Sequence, residues 1–208
     1  MALLFRVAWF AALVGVSAVP QEAVELRNGD VVLQASQSSR SELIRKASRS
    51  KYSHVGVVEV AKDGVFVIEA VQPVSRTPIE TWRKRGVGQW VTVIRAKDLD
   101  AATARRVVAE AKKELGKPYD ARYRWDDEKI YCSELVVKAF ARGADRSIGK
   151  QETVKSLSLN ADELKYAAKL GVSPDQSLVT PGSLAEDESF EVVGDEVTSL
   201  AREASPGR

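Results

Sequence analysis

Apolar residues change their period several times along this chain, and each change predicts an element. After the turn signal Asn28-Gly29-Asp30, Val31-Val32-Leu33 reads as a short strand. Residues 38–41 offer several N-cap candidates for a short helix that carries Leu43, Ile44 and Ala47 at helical spacing. The β-rich runs 54–60 and 65–71 flank Ala61-Lys62-Asp63-Gly64 and predict a hairpin, and residues 90–94 predict a further strand. Asp100 then caps a helix whose apolar stripe is Ala104, Val107, Val108, Ala111 and Leu115, with Gly116 and Pro118 as its stop. A second helix starts near Cys132, with Leu135, Val136, Ala139 and Phe140 on one face and Gly143 as stop. A third covers 161–170, Thr180-Pro181 reads as an N-cap and first helical position, and a last strand covers 190–193.

Strands and helices are mixed without the regular alternation of a parallel α/β sheet. The fold class expected is therefore α+β, an antiparallel sheet with helices to one side. A length of 208 residues suits one domain, placed at 24–195. The small, polar residues 196–208 are expected to form a disordered tail.

The first stretch differs from the rest. Arg6 precedes an almost unbroken apolar run over 7–16, and Val16-Ser17-Ala18 supplies small residues at a cleavage-site spacing. That pattern predicts a signal peptide over residues 1–18 and a secreted or periplasmic mature chain. The run is well short of the ~20 apolar residues that cross a bilayer. A net charge of +2 argues against a dedicated nucleic-acid binder.

There is one cysteine, Cys132, and one histidine, His54, so neither an internal disulfide nor a Cys/His zinc site is expected, and no metal or other cofactor is called for. A free thiol in an exported chain is either a buried small hydrophobe or a reactive group. Cys132 sits where a helix begins, and exposed N–H groups and the positive end of the helix dipole favour a thiolate there. It also lies in register with Leu135, Val136 and Ala139, so periodicity alone fits both readings. His54 begins a strand, where a structural role is the commoner one. Glu69 is a charge inside an apolar strand, and alternation alone would turn it to solvent. Hairpin parity sharpens this. A loop of two or four residues puts Glu69 on the same face as His54, and with the four-residue loop 61–64 it lies opposite Gly56 and diagonal to His54, about 7–8 Å away and within reach of long side chains. A three-residue loop would put it on the other face. Thiol, imidazole and carboxylate are together the three parts of a thiol hydrolase.

Asn28-Gly29-Asp30, Tyr52-Ser53-His54-Val55-Gly56, Ile68-Glu69-Ala70, Gly116-Lys117-Pro118-Tyr119-Asp120 and Tyr131-Cys132-Ser133-Glu134-Leu135-Val136 resemble the YiiX/YaeF-like permuted papain-fold enzymes of the NlpC-type cell-wall peptidase superfamily. In the permuted branch the Cys follows the His, as it does here. The stretch Val179-Thr180-Pro181-Gly182-Ser183-Leu184-Ala185 is similar to that branch too. The resemblance implies a papain-like core with the nucleophile helix packed on the His strand. It implies Cys132 as nucleophile, His54 as general base, Glu69 as third member, and an amide substrate: a cell-wall peptide or an N-acylated amino acid or lipid. An acyl- or peptide-binding protein and a thiol-dependent acyltransferase could use the same pocket. Asp30 and Tyr119 are candidates to line the cleft or to hold turns. Arg83-Lys84-Arg85 is expected to be a solvated basic face, with contact to an anionic wall or headgroup as the alternative. Two segments, between Trp82 and Trp90 and over 142–158, match no family pattern and are candidates to shape the pocket.

Overall fold

The chain's β-branched runs form one antiparallel sheet, and its two strongest helices cover one face of it. A computed structural model describes residues 23–202. In chain order the elements are β1 (Val24–Leu26), β2 (Val31–Gln34), α1 (Ser41–Ala47), the hairpin β3 (His54–Ala61) and β4 (Gly64–Glu69), β5 (Ser75–Pro78), α2 (Ile79–Lys84) and β6 (Val91–Ala96). Then come α3 (Ala101–Lys113), α4 (Cys132–Ala144), β7 (Gln151–Thr153), α5 (Ala161–Lys169), β8 (Ser177–Val179), α6 (Pro181–Ala185), β9 (Phe190–Val197) and β10 (Leu200–Arg202). The six-stranded sheet has the order β5-β4-β3-β2-β6-β9, with every neighbouring pair antiparallel. The α+β expectation therefore stands.

Alternation along the strands makes two cores. Val31, Leu33, Val55, Val57, Ile68 and Ile94 face α3 and α4, which contribute Val107, Ala111, Leu135, Val136, Ala139 and Phe140. Val32, Val58, Val67, Val91 and Val93 face the other way and are covered by Trp82 and Leu26. The hairpin turns through Lys62-Asp63 alone, since Ala61 pairs with Gly64. This loop is shorter than the four residues read from the sequence. Parity is kept, because Val60 still pairs with Val65 and only one rung is added.

Several boundaries differ from the sequence reading. Helix α3 ends at Lys113, which leaves Leu115 half-exposed beyond the buried stripe. Gly143 lies inside α4, and the helix ends at Asp145 in the left-handed region. The role of Gly143 is close approach. A Cβ there would stand 2.6 Å from both the Cα and the N of Val107 in α3. The expected disordered tail is also corrected over 196–202: β9 runs to Val197, which is buried, and Leu200 pairs in parallel with Val24 of β1. The partner of this segment lies at the far end of the chain, so local composition carries no sign of it. The predicted signal peptide and residues 203–208 lie outside the described residues.

Because the atoms facing Gly143 are backbone, they cannot rotate away. Gly143→Ala is expected to lower stability by about 2 kcal/mol through overpacking, read as a lower urea midpoint with an unchanged slope. An unchanged midpoint would show that the α3–α4 contact yields freely.

Candidate active site

Strand register carries His54 and Glu69 to one place. His54, the first residue of β3, pairs with Gln34 of β2. Extending the β3–β4 register by one residue sets Glu69 opposite Gly56 and diagonal to His54. A Cβ on Gly56 would meet Val67 Cγ1 at 2.4 Å and the Ile68 carbonyl oxygen at 2.9 Å, so glycine is what lets the two strands close here. Glu69 Oε2 lies 2.6 Å from His54 Nε2. Its Oε1 accepts from the Thr77 hydroxyl at 2.5 Å and from the Arg85 guanidinium. The His54 ring also stacks on Trp82, with centroids 6.1 Å apart.

Glu69 has no exposed surface, which corrects the solvent-facing position that alternation alone would give it. His54, Thr77 and Arg85 close over the carboxylate and take the place of water around it. Burial raises the Glu69 carboxyl, but the hydrogen bond and charge of His54, followed by Thr77 and Arg85, outweigh it and leave the pKa below the usual carboxylate value.

Cys132 is the first residue of α4 and is almost completely buried. Its thiol and the His54 ring act on one another electrostatically, each standing among the largest influences on the other's proton affinity. With Nε2 on Glu69, Nδ1 is the nitrogen left to exchange a proton with Sγ. Burial raises the thiol, yet the hydrogen bond and charge of His54, and then Ser133, bring it below an ordinary cysteine. The imidazole moves oppositely. Burial lowers it, while Cys132 and then Glu69 raise it to about 9. Both shifts favour a thiolate–imidazolium pair over two neutral groups.

The other candidates separate. Tyr119 lines the cavity beside His54. Burial, and then the Cys132 charge, hold the Tyr119 phenol well above its ordinary pKa, so it stays protonated at neutral pH. Asp30 is structural: it is buried, it accepts from the Arg27 N–H at 2.7 Å, and it holds Arg95 at 2.7 Å. The basic cluster divides. Arg83 pairs with Glu80 at 2.8 Å on its own helix, whereas Arg85 turns in to Glu69. Arg85, Thr77 and Trp82 are thus the residues at this site that sequence reasoning missed. Nothing in their spacing points to Glu69, because tertiary packing brings them there. Among the described residues, no group of three or more His, Cys, Asp or Glu side chains could hold a metal ion.

His54 is the only histidine in the chain, so its ring resonances are unambiguous. In Cys132→Ala, burial persists while the largest raising influence is gone, so the His54 titration midpoint should fall clearly below its wild-type value near 9. An NMR pH titration of the two proteins measures this. Identical midpoints would mean that thiol and imidazole do not interact.

Comparison with known proteins follows the same lines. A family model described as "Permuted papain-like amidase enzyme, YaeF/YiiX, C92 family" matches residues 25–194. The uncharacterized protein YiiX of Escherichia coli K12 is 30% identical over 183 residues, covering 86% of this chain and 91% of that protein. A crystal structure from Escherichia coli O157:H7, described as that of metalloprotein yiiX, superposes with a TM-score of 0.77 at 30% identity. It covers 82% of this chain and 97% of its own. With the His strand preceding the Cys helix in the chain, and with the family match spanning nearly all the described residues, the chain belongs to the YaeF/YiiX family of permuted papain-like amidases.

Proposed function

We propose that this protein is an exported cysteine hydrolase that cleaves an amide bond through Cys132, His54 and Glu69. The observation that carries the reading is the relay at the start of α4. A buried carboxylate lies 2.6 Å from Nε2 of a histidine whose hydrogen-bonding and charge influence lowers the pKa of the Cys132 thiol. Export rests on the sequence of residues 1–18. No helix among the described residues is long and apolar enough to cross a membrane.

The steps follow from the groups present. The Cys132 thiolate adds to the amide carbonyl carbon, and the oxyanion faces the first-turn N–H groups of α4. The His54 imidazolium gives its Nδ1 proton to the amide nitrogen, the C–N bond breaks, and the amine leaves a thioester behind. Neutral His54 then takes a proton from water, whose oxygen attacks the thioester and releases a carboxylic acid and the thiolate. Glu69 keeps the proton-bearing Nε2 fixed and stabilises the imidazolium, as the carboxylate of a Ser-His-Asp triad does. A thioester intermediate is common to hydrolysis and to acyl transfer, and the acceptor in the second half decides between them.

The pH dependence has a definite sign. Activity rises as the pair loses its first proton below the ordinary thiol pKa, and falls as the imidazolium deprotonates at about 9. Alkylation of Cys132 by iodoacetamide should therefore be fast from well below pH 8 in wild type. In His54→Ala the rate should rise only where an ordinary buried thiol ionises. Slow wild-type labelling that simply tracks an unperturbed thiol would remove the catalytic reading and leave a binding protein.

A further inference from the structure

Two cavities meet at the candidate relay, and they differ in chemistry. One, the more polar of the two, is about 540 Å³ and is lined by His54, Gln34, Gln72, Tyr119 and Arg85 among apolar residues such as Ala70 and Val71. The other is about 100 Å³, almost wholly apolar, and is lined by Cys132 together with Ile44, Leu157, Leu159, Leu170 and Leu178. His54 is absent from the second lining and Cys132 from the first. Arg40 and Ile44 belong to both, so α1 and the residue before it divide the two spaces. Segment 154–181 forms the outer wall of the apolar cavity. It is fixed to α1 by the Lys46–Glu163 ion pair at 2.6 Å and by the Ser158 N–H on the Ala47 carbonyl at 2.9 Å.

The chemistry assigns a side to each cavity. The leaving nitrogen must receive its proton from His54, so the amine departs through the polar cavity. The acyl group becomes attached to Cys132, so it occupies the apolar one. Size then limits the acyl group. An apolar cavity of about 150 Å³ holds a benzene ring, and this one is smaller, which suits a branched group of about four or five carbons rather than a long fatty chain. Charge limits the amine. Arg85, one cation of the polar cavity, is held by Glu69. Arg40 is exposed at the boundary, acts on the Tyr119 and Tyr123 phenols, and has no hydrogen-bond or ion-pair partner for its side chain among the described residues.

We infer that the preferred substrate is an amide joining a short, branched apolar acyl group to an amine that carries a carboxylate, with Arg40 binding that carboxylate and segment 154–181 enclosing the acyl group. The inference rests on the hydrolase reading above. The bond broken is the amide C–N, and one water is consumed to give the short acid and the amino acid.

The test measures amine release from N-isovalerylglycine, N-acetylglycine, N-palmitoylglycine and the uncharged N-isovalerylethanolamine, with Cys132 alkylation run in parallel. N-isovalerylglycine should exceed both the acetyl and the palmitoyl compounds in kcat/KM by about tenfold or more. It should exceed the ethanolamine compound by about three- to fivefold, the range expected of an exposed ion pair. Arg40→Ala should bring that last ratio to about one, through KM rather than kcat. Leu157→Trp, which fills the apolar cavity, should reverse the preference for isovaleryl over acetyl. Preference for palmitoyl, equal rates with glycine and ethanolamine, or a ratio unchanged in Arg40→Ala would each overturn the assignment. Fast alkylation with no cleavage of any compound would overturn it and leave the hydrolase reading standing. Slow alkylation would overturn both.

Discussion

A carboxylate with no exposed surface has to find every hydrogen bond it loses to water inside the protein, and Glu69 draws three segments together to do so. His54 comes from the start of β3, Thr77 from β5, and Arg85 from the turn after α2. Each makes a structural demand. The His54 contact needs the β3–β4 register and a glycine at position 56. The Thr77 contact needs β5 to lie along β4, and Glu69 itself pairs with Ser75 there. The Arg85 contact needs α2 to turn back over the sheet, which brings Trp82 down on the second core and against the His54 ring. Removing one partner of a buried ion pair typically costs about 3–5 kcal/mol, so the edge of the sheet and the candidate chemistry rest on the same contacts.

The parts of this design that depend on local pattern were legible in the sequence. Strand parity placed Glu69 on the His54 face, and it did so despite a misjudged loop, because lengths of two and four residues share a parity. The N-terminus of α4 could be placed because an apolar stripe of helical period begins there, and α3 because Asp100 caps it, accepting from the N–H groups of Ala102 and Thr103 at 2.8 Å each. What local pattern cannot carry is the identity of a distant partner. Thr77 and Arg85 stand eight and sixteen positions from Glu69 with no periodicity linking them. Gly143 has the look of a helix stop, and only the approach of α3 reveals it as a packing position. The β10 strand exists because β1 offers it a ladder from the other end of the domain.

The same contrast separates the two sides of the cleft. The His54 side is built on internal strands whose register is over-determined, while the apolar wall over 154–181 is a loop, a short helix and the short strand β8, which pairs only with β7. Fold-level patterns describe the first and leave the second free to vary, which is where specificity can change without disturbing the relay. An ion pair as exposed as Lys46–Glu163 adds little to stability, and its place is to hold that wall against α1.

The start of α4 carries a complication of its own, an acid two residues beyond the thiol. A carboxylate at Glu134 has the wrong sign for a neighbouring thiolate. Burial pushes Glu134 up, opposed by Lys138 one turn further on and 2.8 Å away, and the outcome is a pKa of about 7. Lys138 is also held by Asp127 at 3.0 Å and by the Asp126 carbonyl, so it stays in place whether Glu134 is charged or neutral. As the pH rises through 7, the Glu134–Lys138 pair passes from net positive to neutral, and its support for a thiolate at Cys132 fades. The His54 imidazolium persists to about 9. Across the neutral and mildly alkaline range His54 therefore remains the largest influence that lowers the Cys132 thiol, and the charge of His54 is in turn sustained by Cys132 and Glu69.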